Sequence, residues 1–128
     1  MTRAIRPATP FDASAIARVQ VAGWHATYPG MVPPAMLEAM TVAKREYIWA
    51  RMLLSREEGG GPAALVCETG GKITGFVSFG PQRVAHHRAD WPGEIYALYV
   101  HPDAQHRGAG RALMVAAAAG LAHAGLPA

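Results

Sequence analysis

The sequence predicts one α/β (α+β) domain, residues 1–128, built from a sheet flanked by helices in the order β-α-α-β-β-β-α. Three observations support this fold class. The chain has 128 residues, a length that suits one domain. Apolar residues recur at helical spacing in the first half and again near the end. Between these regions, two strand-like runs flank Gly70-Gly71, a two-residue turn that is typical of an antiparallel hairpin.

The first half of the chain predicts a short strand and then helices. Residues 5–8 have the pattern of an opening strand. Asp12 is predicted to cap a helix that runs to about Ala26, because its side chain can accept from an unpaired backbone amide. On that helix Ile16, Val19 and Gly23 fall on one face. Pro33-Pro34 begins a second helical region, and Thr41 begins a further helix. The apolar stripe of this last helix is predicted to be Tyr47, Ile48, Trp49 and Met52.

The second half predicts three strands and a final helix. The hairpin pairs residues 63–69 with residues 72–80, and residues 81–92 form a polar loop. Residues 94–100 are rich in aromatic and aliphatic side chains and form the next strand. A helix then runs from about Gly108 to Ala124. Its inward stripe is predicted to comprise Leu113, Ala116, Ala117, Gly120 and Leu121.

Composition and charge argue against several classes of function. No run approaches the roughly 20 apolar residues of a membrane span, and the N-terminus lacks the apolar run of a signal peptide. The net charge is +3, but no stripe of Lys and Arg provides a track for a nucleic acid. Cys67 is the only cysteine, and we interpret it as a small buried hydrophobic residue rather than a catalytic thiol. No Cys/His set has zinc-ligand spacing. We expect a soluble, cytoplasmic protein without a metal, a nucleic acid or a membrane as partner.

The clearest chemical signal lies between the last strand and the last helix. In Gln105-His106-Arg107-Gly108-Ala109-Gly110-Arg111 two glycines let a ligand approach the backbone closely. The first amides of the following helix lack intrahelical partners, and the helix dipole adds partial positive charge. Such a turn can bind a diphosphate, although an ordinary Gly-rich turn has the same composition. The loop has neither the Gly-Lys-Ser/Thr ending of a P-loop nor the third glycine of a dinucleotide-binding fingerprint.

Several segments together resemble one enzyme family. Gln105-x-x-Gly108-x-Gly110 matches the Gln/Arg-x-x-Gly-x-Gly/Ala pyrophosphate loop of the GNAT N-acetyltransferases, and residues 94–102 resemble the central strand that precedes it. Gly75-Phe76-Val77 is similar to the family's preceding strand. Trp24-His25-x-x-Tyr28-x-Gly30-x-x-Pro33 is similar to a segment between the first two helices of many bacterial members. The resemblance covers nearly the whole chain and implies a GNAT-like, mixed, mostly antiparallel sheet.

The resemblance implies direct transfer of an acetyl group from acetyl-CoA, the cosubstrate, to an amine of a small molecule or peptide. In the family a bulge splays the central strand, and the backbone there binds the pantetheine arm. The matching positions are Leu98, Tyr99 and Val100. Glu94 matches a glutamate that some members use as general base, and the alternative is a solvated carboxylate at a strand start. The residues that would hold the pyrophosphate are Gln105, His106, Arg107, Gly108, Ala109, Gly110 and Arg111.

The acceptor side of the site has weaker candidates. Trp24 and Tyr28 could line the acceptor pocket, or they could pack in the core, since they are one helical turn apart. His86 and His87 lie in the polar loop and could reach the acceptor, but such residues are more often exposed to solvent.

The resemblance also implies elements that these 128 residues do not contain. The family fold continues with a strand, a helix and a final strand pair, and that helix commonly brings a tyrosine that acts as general acid. We therefore expect a fold that is incomplete at the C-terminus. The strand at residues 94–100 would then have an uncovered edge, which favours a homodimer. The alternative function is an acyl-CoA-binding module with impaired catalysis, and a basic nucleic-acid-binding domain is a weaker one.

Overall fold

The structure of the chain, a computed structural model, describes residues 3–27, 30–57, 63–81, 93–105 and 107–125. Short 3-10 turns at Pro10–Asp12 and Pro102–Ala104 precede the first and last helices. The predicted fold class is confirmed, although three helices rather than the two of the predicted order precede the hairpin, because residues 34–39 and 42–57 form separate helices. The elements are β1 (Arg3–Pro7), α1 (Ala13–Thr27), α2 (Pro34–Ala39), α3 (Val42–Glu57), β2 (Ala63–Thr69), β3 (Lys72–Pro81), β4 (Gly93–Val100) and α4 (Ala109–His123).

The four strands form one antiparallel sheet in the order β1-β2-β3-β4. Gly70 and Gly71 connect β2 to β3 with φ angles of 59° and 80°. Glycine adopts this left-handed conformation without the steric cost of a Cβ atom, so the predicted hairpin is confirmed. β4 pairs with β3 on one side. Among the described residues, no strand pairs with its other side.

Helices cover both faces of the sheet and enclose two cores. The first core lies under α1 and α3, and the second lies under α4, where Cys67 is fully buried as predicted. The predicted inward faces of α1 and α4 are confirmed at their central positions. The first core includes Ile16, Val19, Trp49, Leu53, Val66 and Phe76, and the second includes Cys67, Val77, Phe79, Leu113, Ala117 and Leu121.

The predicted apolar stripe of α3 is wrong in part. Tyr47 and Ile48 are 63% and 38% exposed, whereas Trp49 and Leu53 are buried. Met52 is partly buried against the first core. Apolar residues occur nearly all round the helix between positions 47 and 54, so a helical period fits more than one face. Packing selects the face on which the Trp49 ring meets the Phe76 ring edge-on, at a centroid distance of 5.1 Å.

Asp12 does not cap α1 as predicted, because it ends the 3-10 turn before that helix. The backbone amide of Thr9, the N-cap of the turn, donates to Asp12 Oδ2 at 2.8 Å. The two guanidinium NH2 groups of Arg6 donate to the two carboxylate oxygens at 2.8 and 2.9 Å, and Arg6 also donates to Glu68 Oε1. The hydrogen bonds from Arg6 hold the pKa of Asp12 below its ordinary value of 3.8, although burial acts in the opposite direction.

Asp12→Asn is expected to lower the free energy of unfolding by about 1–2 kcal/mol at pH 7, because it weakens charge-assisted hydrogen bonds at a buried site. Since the pKa of Asp12 is lowered in the folded chain, its contribution is complete above about pH 4 and is lost as the pH falls through the folded-state pKa. Urea unfolding at pH 7 and at low pH measures the effect.

In this experiment the difference between wild type and Asp12→Asn should narrow as the pH falls below 4. Asp103→Asn is a suitable control, because the Asp103 side chain is 92% exposed. The control should match wild type at both pH values. A difference between Asp12→Asn and wild type that is the same at both pH values would show that the ionised carboxylate is not the source of the stability.

Candidate functional site

β4 contains a bulge at Tyr96. Ala97 lies opposite Ser78, and Ile95 lies opposite the next residue of β3, Phe79, so Tyr96 has no opposite residue. As a result, Ile95 and Leu98 both pack on the α4 core although they are three positions apart. A bulge bends its strand and increases the local twist. β4 therefore changes direction in the middle of its length, as the family resemblance implied for this strand.

The beginning of α4 lies beside the end of β4. Gly108 is the N-cap of α4 and has a φ of 83°, a conformation that residues with a Cβ atom rarely adopt. The first intrahelical bond runs from the amide of Ala112 to the carbonyl oxygen of Gly108 at 3.0 Å. The amides of residues 109–111 come before this bond and therefore have no acceptor within the helix. A Cβ atom at Gly110 would meet Val100 Cγ2 at 3.7 Å, an ordinary contact distance. This geometry fits the predicted pyrophosphate loop, whose role remains a prediction.

A cleft runs along the outer edge of β4 to the start of α4. Its first part has a volume of about 290 Å³ and is lined by Leu98, Val100, Ala104, Gln105, Ala109 and Gly110. The second part, of about 460 Å³, is lined by residues 96–100 and Gln105 together with Gln20, Gly23 and Thr27 of α1. The two parts share Leu98, Val100 and Gln105 and so adjoin each other. The structure therefore brings six predicted binding residues together around this cleft: Leu98, Tyr99, Val100, Gln105, Ala109 and Gly110.

The remaining described residues of the predicted loop, Arg107, Gly108 and Arg111, line other parts of the surface than the cleft. Arg107 lines a separate cavity of about 560 Å³ together with Arg3 and Lys72. Gly108 and Arg111 line another part of the surface, again with Arg3. Arg3 Nη1 donates to the carbonyl oxygen of Arg107 at 2.8 Å, which ties β1 to the loop. Arg107 and Arg111 thus add positive charge at the rim of the loop rather than inside the cleft. His106 lies outside the described residues.

Gly23 allows α1 to approach β4 closely. A Cβ atom at this position would lie 2.7 Å from Cδ1 of Tyr99, so a side chain there would displace the ring. The Tyr99 ring also stacks on Phe76, with a centroid distance of 5.7 Å. Tyr99 is therefore held between α1 and the sheet, where it forms part of the cleft wall.

Gln20 lines the cleft and was not among the predicted site residues. Its side chain is on the buried side of α1, and the residue is 8% exposed. Gln20 Oε1 accepts from Trp49 Nε1 at 2.8 Å and from Arg45 Nε at 2.9 Å, which links α1 to α3. The signal that the sequence offered was a glutamine one turn after Ile16 and next to Val19, on a face that is otherwise apolar.

Glu94, the predicted base, lies in β4 opposite Gly80 and is half-buried. It lies two residues before the bulge and is not among the residues that line the cleft. Ile95 separates it from Tyr96, the first lining residue of β4, whose hydroxyl donates to the carbonyl oxygen of Pro81. The catalytic role of Glu94 remains a prediction, and it requires a reacting amine at the Tyr96 end of the cleft.

The predicted acceptor residues are described only in part. Trp24 is half-buried on α1, directly after Gly23, and it is not among the lining residues of the cleft. Tyr28, His86 and His87 lie outside the described residues. On the part of α1 that the structure describes, the side that faces the cleft carries Gln20, Gly23 and Thr27.

Metal sites and membrane spans can be assessed over the described ranges. No three His, Cys, Asp or Glu residues within these ranges are grouped closely enough to hold a metal ion. In the same part of the chain, every helix is too short or too polar to span a lipid bilayer.

Comparison with known proteins gives agreement in sequence and in fold. A family model described as "Acetyltransferase (GNAT) family" matches residues 24–128. The chain is 34% identical over 110 residues to the "Uncharacterized N-acetyltransferase YuaI" of Bacillus subtilis (strain 168). That match covers 86% of this chain and 59% of the relative, so the chain spans about three fifths of the relative's length.

Two solved structures are similar over nearly the whole chain. One is the PaiA N-acetyltransferase from Thermoplasma acidophilum in complex with coenzyme A, with a TM-score of 0.81 and 19% identity, covering 98% of this chain and 76% of that chain. The other is a GNAT family acetyltransferase from Brucella melitensis in complex with acetyl-CoA, with a TM-score of 0.68 and 23% identity, covering 98% and 71% of the two chains. At these identities the similarity shows a shared fold.

Proposed function

Because the chain belongs to the GNAT acetyltransferase family, we propose that it transfers an acetyl group from acetyl-CoA directly to an amine of a small molecule or peptide. The observation that carries the proposal is the cleft along β4. This cleft ends at the first amides of α4, which have no acceptor within the helix. An elongated thioester with a diphosphate at one end suits such a cleft, because the helix start attracts anions and the strand edge offers backbone hydrogen bonds. The two neighbours with bound coenzyme A or acetyl-CoA support the choice of cosubstrate.

The proposed roles follow the order of the residues along the cleft. The amides of Ala109, Gly110 and Arg111 would bind the pyrophosphate, with the side chains of Arg107 and Arg111 adding positive charge. Gln105 would also bind at the pyrophosphate end, and the backbone of residues 98–100 would hold the pantetheine arm. No metal takes part in the proposal.

The chemistry requires two proton transfers. The neutral amine nitrogen attacks the carbonyl carbon of the thioester and the carbon–sulfur bond breaks. The nitrogen loses a second proton as it becomes an amide, and this loss balances the proton that the departing thiolate gains. The amine is an ammonium ion at neutral pH and must first lose a proton, a step that we assign to Glu94. Trp24 and Tyr28 remain our candidates for the acceptor pocket.

The function is tested by measuring CoA binding together with thiol release from acetyl-CoA in the presence of a panel of primary amines and peptides. We expect both binding and turnover. CoA binding without turnover on any amine would favour the second candidate, an acyl-CoA-binding module with impaired catalysis. A chain that neither binds CoA nor releases its thiol would exclude both functions.

We also propose that the chain forms a homodimer and acts in the cytoplasm. β4 is the outer strand of the described sheet, and the part of its edge that the cleft leaves uncovered could pair with another chain. Light scattering on the 128-residue chain over a range of concentrations should give the mass of about two chains. A stable, folded single chain across the whole range would contradict the dimer and leave the transferase proposal unaffected.

A further inference from the structure

We propose that Gln20 is a binding residue of the cleft, where its side-chain NH2 group donates a hydrogen bond to a carbonyl or carboxylate oxygen of the bound molecule. That this molecule is acyl-CoA or the amine acceptor rests on the proposed function. The contacts that orient the Gln20 side chain are independent of it.

The orientation of the Gln20 carboxamide is set by its two partners on α3. Arg45 Nε and Trp49 Nε1 both carry a hydrogen and can only donate. The atom that lies 2.9 and 2.8 Å from them must therefore be the carboxamide oxygen, because the nitrogen could accept from neither. The NH2 group must then occupy the other branch of the carboxamide.

The NH2 group of Gln20 is the part of the side chain left to interact with the cleft. Gln20 lines the cleft beside Gly23 and Tyr99, and its oxygen is already bonded to α3. Within the described residues, the amide nitrogen has no hydrogen-bond partner. The nitrogen is not among the buried polar atoms that lack a partner, so it reaches the surface of the cleft, where an oxygen of a bound molecule can take the place of water.

The choice of residue type supports a binding role over a purely structural one. A glutamate at position 20 could accept from both Arg45 and Trp49, and its negative charge would strengthen the bond to the guanidinium. The property that only glutamine adds is the NH2 donor. Among the described residues, no Asp or Glu side chain lines this part of the cleft, so a ligand carbonyl or carboxylate would meet no negative charge from them.

Gln20→Glu separates the structural role of Gln20 from its proposed binding role. Glutamate keeps an oxygen that accepts from Arg45 and Trp49, but it lacks the NH2 group that would donate to the bound molecule. We expect it to unfold at a temperature close to wild type and to raise either the Kd for CoA or the KM for the amine by at least 10-fold. A higher Kd for CoA would place the bond on the pantetheine arm, and a higher KM for the amine alone would place it on the acceptor. Trp49→Phe is the matched control, since it removes one bond to Gln20 Oε1 and leaves the NH2 group. It should lower the unfolding temperature with little change in either constant.

Unchanged constants in a folded Gln20→Glu chain would overturn the proposal. If that variant does not fold, the wild-type chain decides the matter by NMR. Glutamine occurs at positions 20, 82 and 105, so ¹⁵N labelling of the glutamine side chains gives three NH2 pairs that Gln82→Glu and Gln105→Glu identify. A shift of the Gln20 pair on addition of CoA or of an amine substrate supports the bond, and its absence with both refutes it. A wild-type chain that binds CoA but acetylates no amine would refute the proposed function. In that case the Kd for CoA and the NMR shift on addition of CoA would decide the role of Gln20.

Discussion

Glu94→Gln is expected to lower kcat by about 100-fold or more while leaving the Kd for acetyl-CoA near the wild-type value. Glutamine matches glutamate in size, so it preserves the pairing of β4 with Gly80 while it removes the negative charge and the capacity to accept a proton. Glu94 lies at the opposite end of β4 from the start of α4, so the loss should not extend to the pyrophosphate loop. The measurement is a pair of pH–rate profiles with one amine.

The pH dependence distinguishes a base from a structural carboxylate. At high pH the amine loses its proton without help, so the defect of Glu94→Gln should shrink as the pH rises toward the pKa of the amine. Glu38→Gln on α2, which removes an exposed carboxylate, is the control and should behave as wild type. A wild-type kcat in Glu94→Gln would make Glu94 an ordinary carboxylate at the start of a strand.

Gly110→Val is expected to weaken CoA binding by at least 10-fold, roughly 1.4 kcal/mol. The backbone at Gly110 can accommodate a side chain, because a Cβ atom there meets only Val100 Cγ2 at 3.7 Å. The two methyl groups of valine would instead fill the space between Val100 and the first amides of α4, where the proposed diphosphate must come close. Isothermal titration with CoA gives the affinity directly.

Two variants of the same helix control for side effects of Gly110→Val. Gly110→Ala adds only the Cβ atom and should lose less affinity than valine. Ala118→Val places the same β-branched residue at an exposed position of α4, which matches the cost of valine in a helix without approaching the cleft. Wild-type affinity in Gly110→Val would show that the diphosphate does not bind at this loop.

The parts of the fold that the sequence predicted well have strong local signals. Gly70-Gly71 can adopt the two left-handed conformations that a tight hairpin needs, so the β2–β3 pair followed from two residues. On α4, leucine and alanine at helical spacing identified the buried stripe. Ile16, Val19 and Gly23 did the same for α1. The last helix was predicted to start at about Gly108, which is the N-cap of α4 in the structure.

The parts that were missed depend on contacts between distant segments. The stripe of α3 was assigned partly to Tyr47 and Ile48, since only the packing of Trp49 on Phe76 fixes which side faces the sheet. Asp12 was predicted to cap α1. The local sequence did not show that its carboxylate would instead pair with Arg6 of β1. The bulge in β4 was implied by the family resemblance alone, because its position at Tyr96 left no trace in a segment that is apolar or aromatic on both faces. Gln20 was not predicted, because Arg45 and Trp49, whose side chains both donate to its oxygen, come from α3.

The bulge bends β4 without changing which residues of β3 lie opposite the rest of the strand. Ala97 and Ile95 already face consecutive residues of β3, so deleting Tyr96 would leave each of them beside its present neighbour. Side chains on either side of the deletion would keep the faces that they occupy now. The strand would straighten and lose the hydrogen bond from the Tyr96 hydroxyl to Pro81, and the two ends of the cleft would point in different directions relative to each other. One inserted residue thus acts as an independent control on the curvature of the binding surface, which a deletion or insertion could change without redesigning either core.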